Sequence, residues 1–256
     1  RVVVAALFAA ALFANVRVEI DHPAHSAHSL ECAARRDAAR RELNTDPPVT
    51  TRRDTTSRSR PAAPFPRVEA AGDGALIVTL GETMSVATSE QVVALARTIM
   101  AETLPGISEA VPGMTTLTIH LDPETADADA LAPRLEAFAA SVLTHAEDTP
   151  PPRRWVIPVC YGTDFAPDLA DVSAHAGLSP EAVVARHAAS DYHVYMLGFL
   201  PGFPYMGDLD PALRLPRRAT PRTAVPAGAV PIAGAMTATY PLESPGGWHI
   251  VGRTPA

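Results

Sequence analysis

Three arginines sit in the heptapeptide Pro216-Arg217-Arg218-Ala219-Thr220-Pro221-Arg222. Proline at both ends stiffens the backbone, and a guanidinium fork matches a carboxylate or phosphate through paired hydrogen bonds. Such a corner suits an anion, because its rigidity lowers the entropy lost on binding. It also suits a solvated loop with surface ion pairs. His187 is the proton-transfer candidate. It stands at the end of a short predicted helix, where an imidazolium gains from the helix dipole and can serve structure alone. Asp208 and Asp210 flank the turn Gly207-Asp208-Leu209-Asp210-Pro211, a position where Asp routinely caps backbone. Phe199, Phe203, Tyr205, Tyr240 and Trp248 either line a pocket or fill a core. The segments Gly198–Gly207 and Ser244–Trp248 bring bare backbone close to whatever they face, which points to one cleft between them.

The absences are equally specific. All 21 basic residues are arginine, so no lysine is present to form a Schiff base or to hold a nucleotide phosphate in a P-loop. GxSxG, HExxH, a GxGxxG after a strand and an EF-hand loop are all missing. His22, His25 and His28 recur every third residue but lack carboxylates beside them, and are read as solvated. Cys32 and Cys160 are far apart and outside any CxxC spacing, which argues against a disulfide framework or a cysteine zinc site and fits a reducing compartment. Residues 1–66 carry ten arginines against seven acids, whereas residues 67–256 carry eleven against 21. The acidic remainder speaks against a nucleic-acid partner.

The elements that must position these groups begin near Arg67. Val2–Ala14 is an apolar run too short for a comfortable membrane span, and it lacks a clear cleavage site. Residues 1–65 are therefore expected to lie outside the fold, as a disordered or mis-assigned extension. RVEAA and ALIVTL read as two strands around a Gly-Asp-Gly turn. Thr88-Ser89-Glu90 opens a helix that Pro105-Gly106 stops. Ile107–Val111 and Met114–Leu121 read as strands, and a second helix follows over about 127–145. That order predicts an α+β sandwich of ferredoxin-like type over 66–147. Three prolines make 148–154 a stiff linker. Trp155–Tyr161 is a strand, and Ser179-Pro180-Glu181 starts a helix with Ser as its N-cap. From Asp191 short strands alternate with Pro/Gly turns, which predicts a β-barrel domain over 155–256.

A series of ordered motifs carries a family resemblance: Ile157-Pro158-Val159-Cys160-Tyr161-Gly162, Asp168-Leu169, His187, Tyr192-x-Val194, Gly198-Phe199-x-Pro201-Gly202-Phe203-x-Tyr205, Pro216-Arg217-Arg218, Pro221-Arg222, Val225-Pro226-Ala227-Gly228, Ile232-Ala233-Gly234, Tyr240-Pro241, Ser244-Pro245-Gly246-Gly247-Trp248 and Gly252-Arg253-Thr254-Pro255. Over about 66–255 the chain resembles the KipI-like family, to which the B subunit of 5-oxoprolinase and allophanate hydrolase subunit 1 belong. It is similar, too, to one half of the carboxyltransferase domain of urea carboxylase. The resemblance implies a ferredoxin-like domain followed by a cyclophilin-like barrel, and a cytoplasmic protein without membrane attachment. It also implies two partners, a KipA-like C subunit and a lactam-handling A subunit. The implied activity is ATP-dependent opening of 5-oxoproline to glutamate, with ATP as co-substrate, alone or with magnesium.

On that basis His187, Arg218 and Arg222 are the expected catalytic groups. Phe199, Pro201, Gly202, Phe203, Tyr205, Pro226, Gly228, Gly234, Met236, Tyr240, Gly246 and Trp248 are the expected cleft lining. The resemblance leaves two other activities open: inhibition of a sensor histidine kinase, and carboxyl transfer from carboxybiotin on a biotinylated carrier. Two departures stand out. Ala235-Met236-Thr237-Ala238 replaces the family's Gly-Gln-Thr-Gly, so a thioether stands where an amide offered donors and an acceptor. The chain also ends at Ala256, where the family continues for a further strand or two, so a carboxyl-terminally truncated barrel with an exposed edge is expected.

Overall fold

The computed structural model describes residues 16–21, 65–144 and 153–255. The histidines at 22, 25 and 28 and the prolines of the expected linker lie outside the described residues. Strand β1 (Val16–Asp21) comes first and belongs to a seven-stranded sheet built mainly from the second half of the chain. Next come β2 (Arg67–Ala70), β3 (Ala75–Thr79), helix α1 (Val86–Ala101), β4 (Ile107–Pro112), β5 (Thr116–Leu121) and helix α2 (Ala128–Thr144). The four strands pair antiparallel in the order β2-β3-β5-β4. Period-two alternation puts Leu76 and Val78 of β3 and Leu117, Ile119 and Leu121 of β5 in one core. Val92, Leu95 and Ile99 of α1 and Leu131, Leu135 and Ala139 of α2 cover them. Helix α1 starts ahead of the expected Thr88, because the Ser85 hydroxyl accepts from the Thr88 N–H at 3.1 Å and so caps the helix at Ser85.

The second half holds β6 (Arg153–Pro158), α3 (Leu169–Ala176), α4 (Pro180–Ala188), β7 (Asp191–Leu197), β8 (Pro204–Gly207), a 3-10 turn at Pro211–Leu213, β9 (Arg222–Val225), β10 (Ala229–Ala233), β11 (Met236–Thr237), β12 (Ser244–Gly246) and β13 (His249–Arg253). The large sheet runs β13-β10-β11-β8-β7-β1-β6, and β9 pairs with β12 separately. Where a truncated barrel was expected, the structure has an open sheet whose edges touch at one residue pair. Cys160 and Arg253 exchange both backbone bonds, at 2.8 and 2.9 Å. Strand β6 stays with β1 as far as Val159, whose N–H reaches Asp21 O, so only Cys160 is left to meet β13.

The large sheet buries two faces. Val183, Val184 and Val172 of α4 and α3 pack with Ile157, Tyr192, Met206, Ile232 and Val251 on one face. Phe203, Tyr240, Trp248 and Ile250 gather on the other, with Tyr205 and Met236 against them. Two expectations from sequence need correction. Val18 and Ile20 of β1 are 0 % and 3 % exposed inside the first of these cores, so residues 16–21 belong to the fold. The expected linker also ends early, since Arg153 and Arg154 already belong to β6. No helix among the described residues is long and apolar enough to cross a membrane.

Candidate functional site

The arginines converge on Asp168, a carboxylate that the sequence offers only within the Asp168-Leu169 motif and without a role. Asp168, only 2 % exposed, precedes α3 with φ −106° and ψ 4°, and its side chain makes no capping bond to that helix. It turns instead toward the free edge of β13. Its N–H donates to Ile250 O at 3.1 Å, and its Oδ2 accepts from the Ile250 N–H at 2.7 Å. Arg222 closes on it with two parallel bonds, Nη1 to Oδ2 at 2.8 Å and Nη2 to Oδ1 at 2.7 Å. Arg218 Nη1 adds a third, to Oδ1 at 2.6 Å. Burial alone would raise the Asp168 pKa. The Arg222 and Ile250 hydrogen bonds, with the charges of both arginines, outweigh it and hold the carboxyl below its usual range.

Two guanidiniums on one carboxylate leave a net positive charge. Both arginine side chains keep about a quarter of their surface exposed, so the pair is not sealed from solvent. The loop that carries them is fastened to the Ser244–Trp248 turn, where Arg218 N–H donates to Gly247 O at 2.8 Å.

Beside this cluster lies a pile of edge-to-face aromatics. Phe203 is its hub, with ring centroids 5.1 Å from Tyr205, 5.1 Å from Tyr240 and 6.0 Å from Trp248. Phe199 lies on the outside at 59 % exposure, in the left-handed region at φ 64°, with its ring 5.4 Å from Phe203. Holding a bulky residue there costs of order 1–3 kcal/mol, a strain that tends to be kept where function needs it. The Arg217 guanidinium stands 5.9 Å from the Trp248 ring centroid. Gly246 is required because a Cβ there would strike the Tyr240 hydroxyl. Burial pushes the Tyr240 pKa up, against the opposing charges of Arg217 and Arg222, so the phenol stays neutral at ordinary pH.

The structure thus gathers Arg218, Arg222, Phe199, Phe203, Tyr205, Met236, Tyr240, Gly246 and Trp248 into neighbouring groups. Pro201 is exposed and Gly202, at φ 80°, is buried, both in the turn between β7 and β8. Pro226 is exposed, and Gly228 and Gly234 shape turns in the left-handed region. Gly228, at φ 80°, donates to Tyr240 O and would clash with Thr254 O if it carried a Cβ, whereas Gly234 faces open space.

His187 requires correction, because it does not join the arginines. It is fully buried, with Tyr161 Oη 2.7 Å from Nδ1 and Thr237 Oγ1 3.0 Å from Nε2. Along β11, Met236 faces the aromatics and Thr237 the opposite core, which places His187 across the sheet from the aromatic pile. An imidazole without solvent access, both of whose nitrogens are occupied, orders Thr237 and Tyr161 and is not positioned to move protons to a ligand. Asp208 and Asp210 serve turns and ion pairs: Tyr195 donates to Asp208 at 3.2 Å, and Arg186 to Asp210 at 2.9 Å.

His193 is the other buried imidazole. It is 2 % exposed, and its Nε2 lies 2.9 Å from the Ser89 hydroxyl of α1, tying the two halves of the chain together. Burial pushes His187 down to about 3, and burial with the Arg17 charge pushes His193 down to about 4. Unfolded, both take up a proton near pH 6.5. The unfolded state therefore binds more protons between about pH 4 and 6.5, and stability falls as pH drops through that window. Relative to pH 7.5, pH 5 removes about 2 kcal/mol per histidine. Urea denaturation at the two pH values measures the loss, and His193→Asn is expected to halve it.

Residues 66–256 match the family described as carboxyltransferase domain, subdomain C and D. The chain is 38 % identical to the 5-oxoprolinase B subunit of Bacillus subtilis (strain 168) over 200 residues, covering 74 % of this chain and 82 % of the relative. It is 42 % identical to the 5-oxoprolinase B subunit of Escherichia coli O157:H7 over 185 residues, covering 72 % and 82 %. Among solved structures, that of TTHA0988 matches with TM-score 0.61 and 37 % identity over 71 % of this chain. The chain spans about a third (35 %) of the length of that protein.

Proposed function

The chain belongs to the carboxyltransferase family of subdomains C and D, and from that premise we propose that it is the B subunit of an ATP-dependent 5-oxoprolinase, opening 5-oxoproline to glutamate with a KipA-like C subunit and a lactam-handling A subunit. The observation that carries the site assignment is the Asp168 carboxylate shared by Arg218 and Arg222. 5-Oxoproline is a small lactam ring bearing a carboxylate. The residual positive charge suits the carboxylate, and the Phe199–Trp248 aromatics suit the ring. Asp168 holds both forks in place before the substrate arrives, so little side-chain entropy is lost on binding.

A lactam resists water, so ATP supplies the driving force. Phosphorylation of the amide oxygen, addition of water and cleavage of the ring C–N bond leave an acyl phosphate, which a second water converts to glutamate and phosphate. In that sequence this chain binds and orients. Asp168 is occupied by the arginines and Tyr240 stays protonated, so neither serves as a general base, and that role is assigned to the KipA-like partner.

We read residues 66–147 as the ferredoxin-like domain and 155–256 as the cyclophilin-like one. The support is two helices over a four-stranded antiparallel sheet in the first, and a coiled sheet whose edges touch in the second. The test is copurification with the KipA-like and lactam-handling partners, followed by 5-oxoproline-dependent release of ADP. Glutamate and ADP are expected in equal amounts. A complete complex whose ATP hydrolysis ignores 5-oxoproline overturns the assignment.

A further inference from the structure

Strand β1 is out of place in the chain order. It lies between β6 and β7, although residues 22–152 separate it from the first of them and the whole four-stranded sheet intervenes. On one side it pairs parallel with β6, from Val16–Arg153 to Asp21–Pro158. On the other it pairs antiparallel with β7, through Arg17–His193, Val18–Tyr192 and Glu19–Asp191. Among the described residues β6 has no other strand neighbour in the sheet.

Without β1, two strands would present unpaired backbone to one gap, over a floor of core residues that includes Ile157 and Tyr192. Helix α4 packs against β1 from that side. Val18 and Ile20 fill the floor, while Glu19 and Asp21 stay exposed. A slot of this kind takes an extended segment by backbone pairing on both sides and selects it by alternate side chains. We infer that the gap between β6 and β7 is a strand-binding site and that Val16–Asp21 is its exchangeable ligand, so that a free peptide of the same sequence binds there in its place. The direction of the incoming strand is set, since it must run parallel to β6 and antiparallel to β7.

The test uses the full chain with a site-specific protease sequence inserted after Ser57. After cutting, size-exclusion chromatography is expected to keep the amino-terminal fragment with the remainder. A labelled peptide of residues 15–21, added in excess, is then expected to replace it, with a rise in fluorescence anisotropy. The same peptide carrying Val18→Asp and Ile20→Asp is expected to bind roughly 50-fold more weakly or worse, because both apolar anchors are lost. A second variant locks the strand by a disulfide between Glu19→Cys and Val156→Cys, a register pair with both side chains exposed, and is expected to refuse the peptide. Departure of the fragment on cutting, with or without unfolding, overturns the inference. So does equal binding of the substituted peptide, or uptake of peptide by the locked variant.

Discussion

Asp168→Asn lowers the thermal transition by roughly 6–12 °C, the shift expected for a loss on the order of 3 kcal/mol in a chain of this size. The amide still accepts from the Ile250 N–H, but it carries no charge. Three charge-assisted bonds weaken together, and two guanidiniums are left facing each other at the edge of β13. Partial exposure of both arginines keeps the cost below that of a fully buried pair. The pH dependence identifies the cause. A carboxyl held below its usual range stabilises the fold above about pH 4 and loses that contribution as pH falls and it takes up its proton. Calorimetry should therefore show the difference between wild type and variant intact from pH 7 to 5 and shrinking only below about 4. An unchanged transition at pH 7 contradicts the assignment.

Arg222→Ala is expected to cut kcat/KM for 5-oxoproline-dependent ATP hydrolysis by the complex by about 100-fold or more, equivalent to some 2.7 kcal/mol of lost anion stabilisation. Arg222→Lys should not rescue it, because an ammonium cannot make the two parallel bonds that Arg222 makes to Asp168. Arg218, joined to Asp168 by one bond, is expected to matter less, with a loss of about tenfold. His187→Gln provides the contrast. Its burial against Tyr161 and Thr237 predicts lower stability, with kcat/KM of the folded fraction within a few-fold of wild type. Steady-state kinetics on the copurified complex distinguishes these outcomes. Arg222→Lys at wild-type turnover would remove Arg222 from the site.

The sequence exposed the parts whose cause is local. The Ser179 cap and Pro180 start of α4 were legible, since both act within one helical turn. The alternation of Leu117, Ile119 and Leu121 marked β5 for the same reason. The arginine corner was legible as an anion site because proline and guanidinium chemistry is carried by neighbours in sequence. What the arginines bind within the fold was not, because Asp168 lies 50 and 54 residues away from them in sequence. Helix α3 itself was missed, although Gly177 at φ 65° supplies a left-handed C-cap. His187 misled for the opposite reason: its place at a helix end is visible in sequence, while its complete burial depends on β11 and Tyr161. Val16–Asp21 alternates apolar and charged residues as a half-buried strand should, but its partners are β6 and β7, and composition around it argued for a solvated extension.

The most direct measurement compares 5-oxoproline with its carboxamide analogue, which keeps the ring and loses the charge, on the wild-type complex and on the Arg222→Ala complex. If the arginines paired on Asp168 hold the substrate carboxylate, wild type prefers 5-oxoproline by about 100-fold in kcat/KM and the variant loses most of that preference. Equal discrimination by both complexes would place the carboxylate elsewhere and contradict the account.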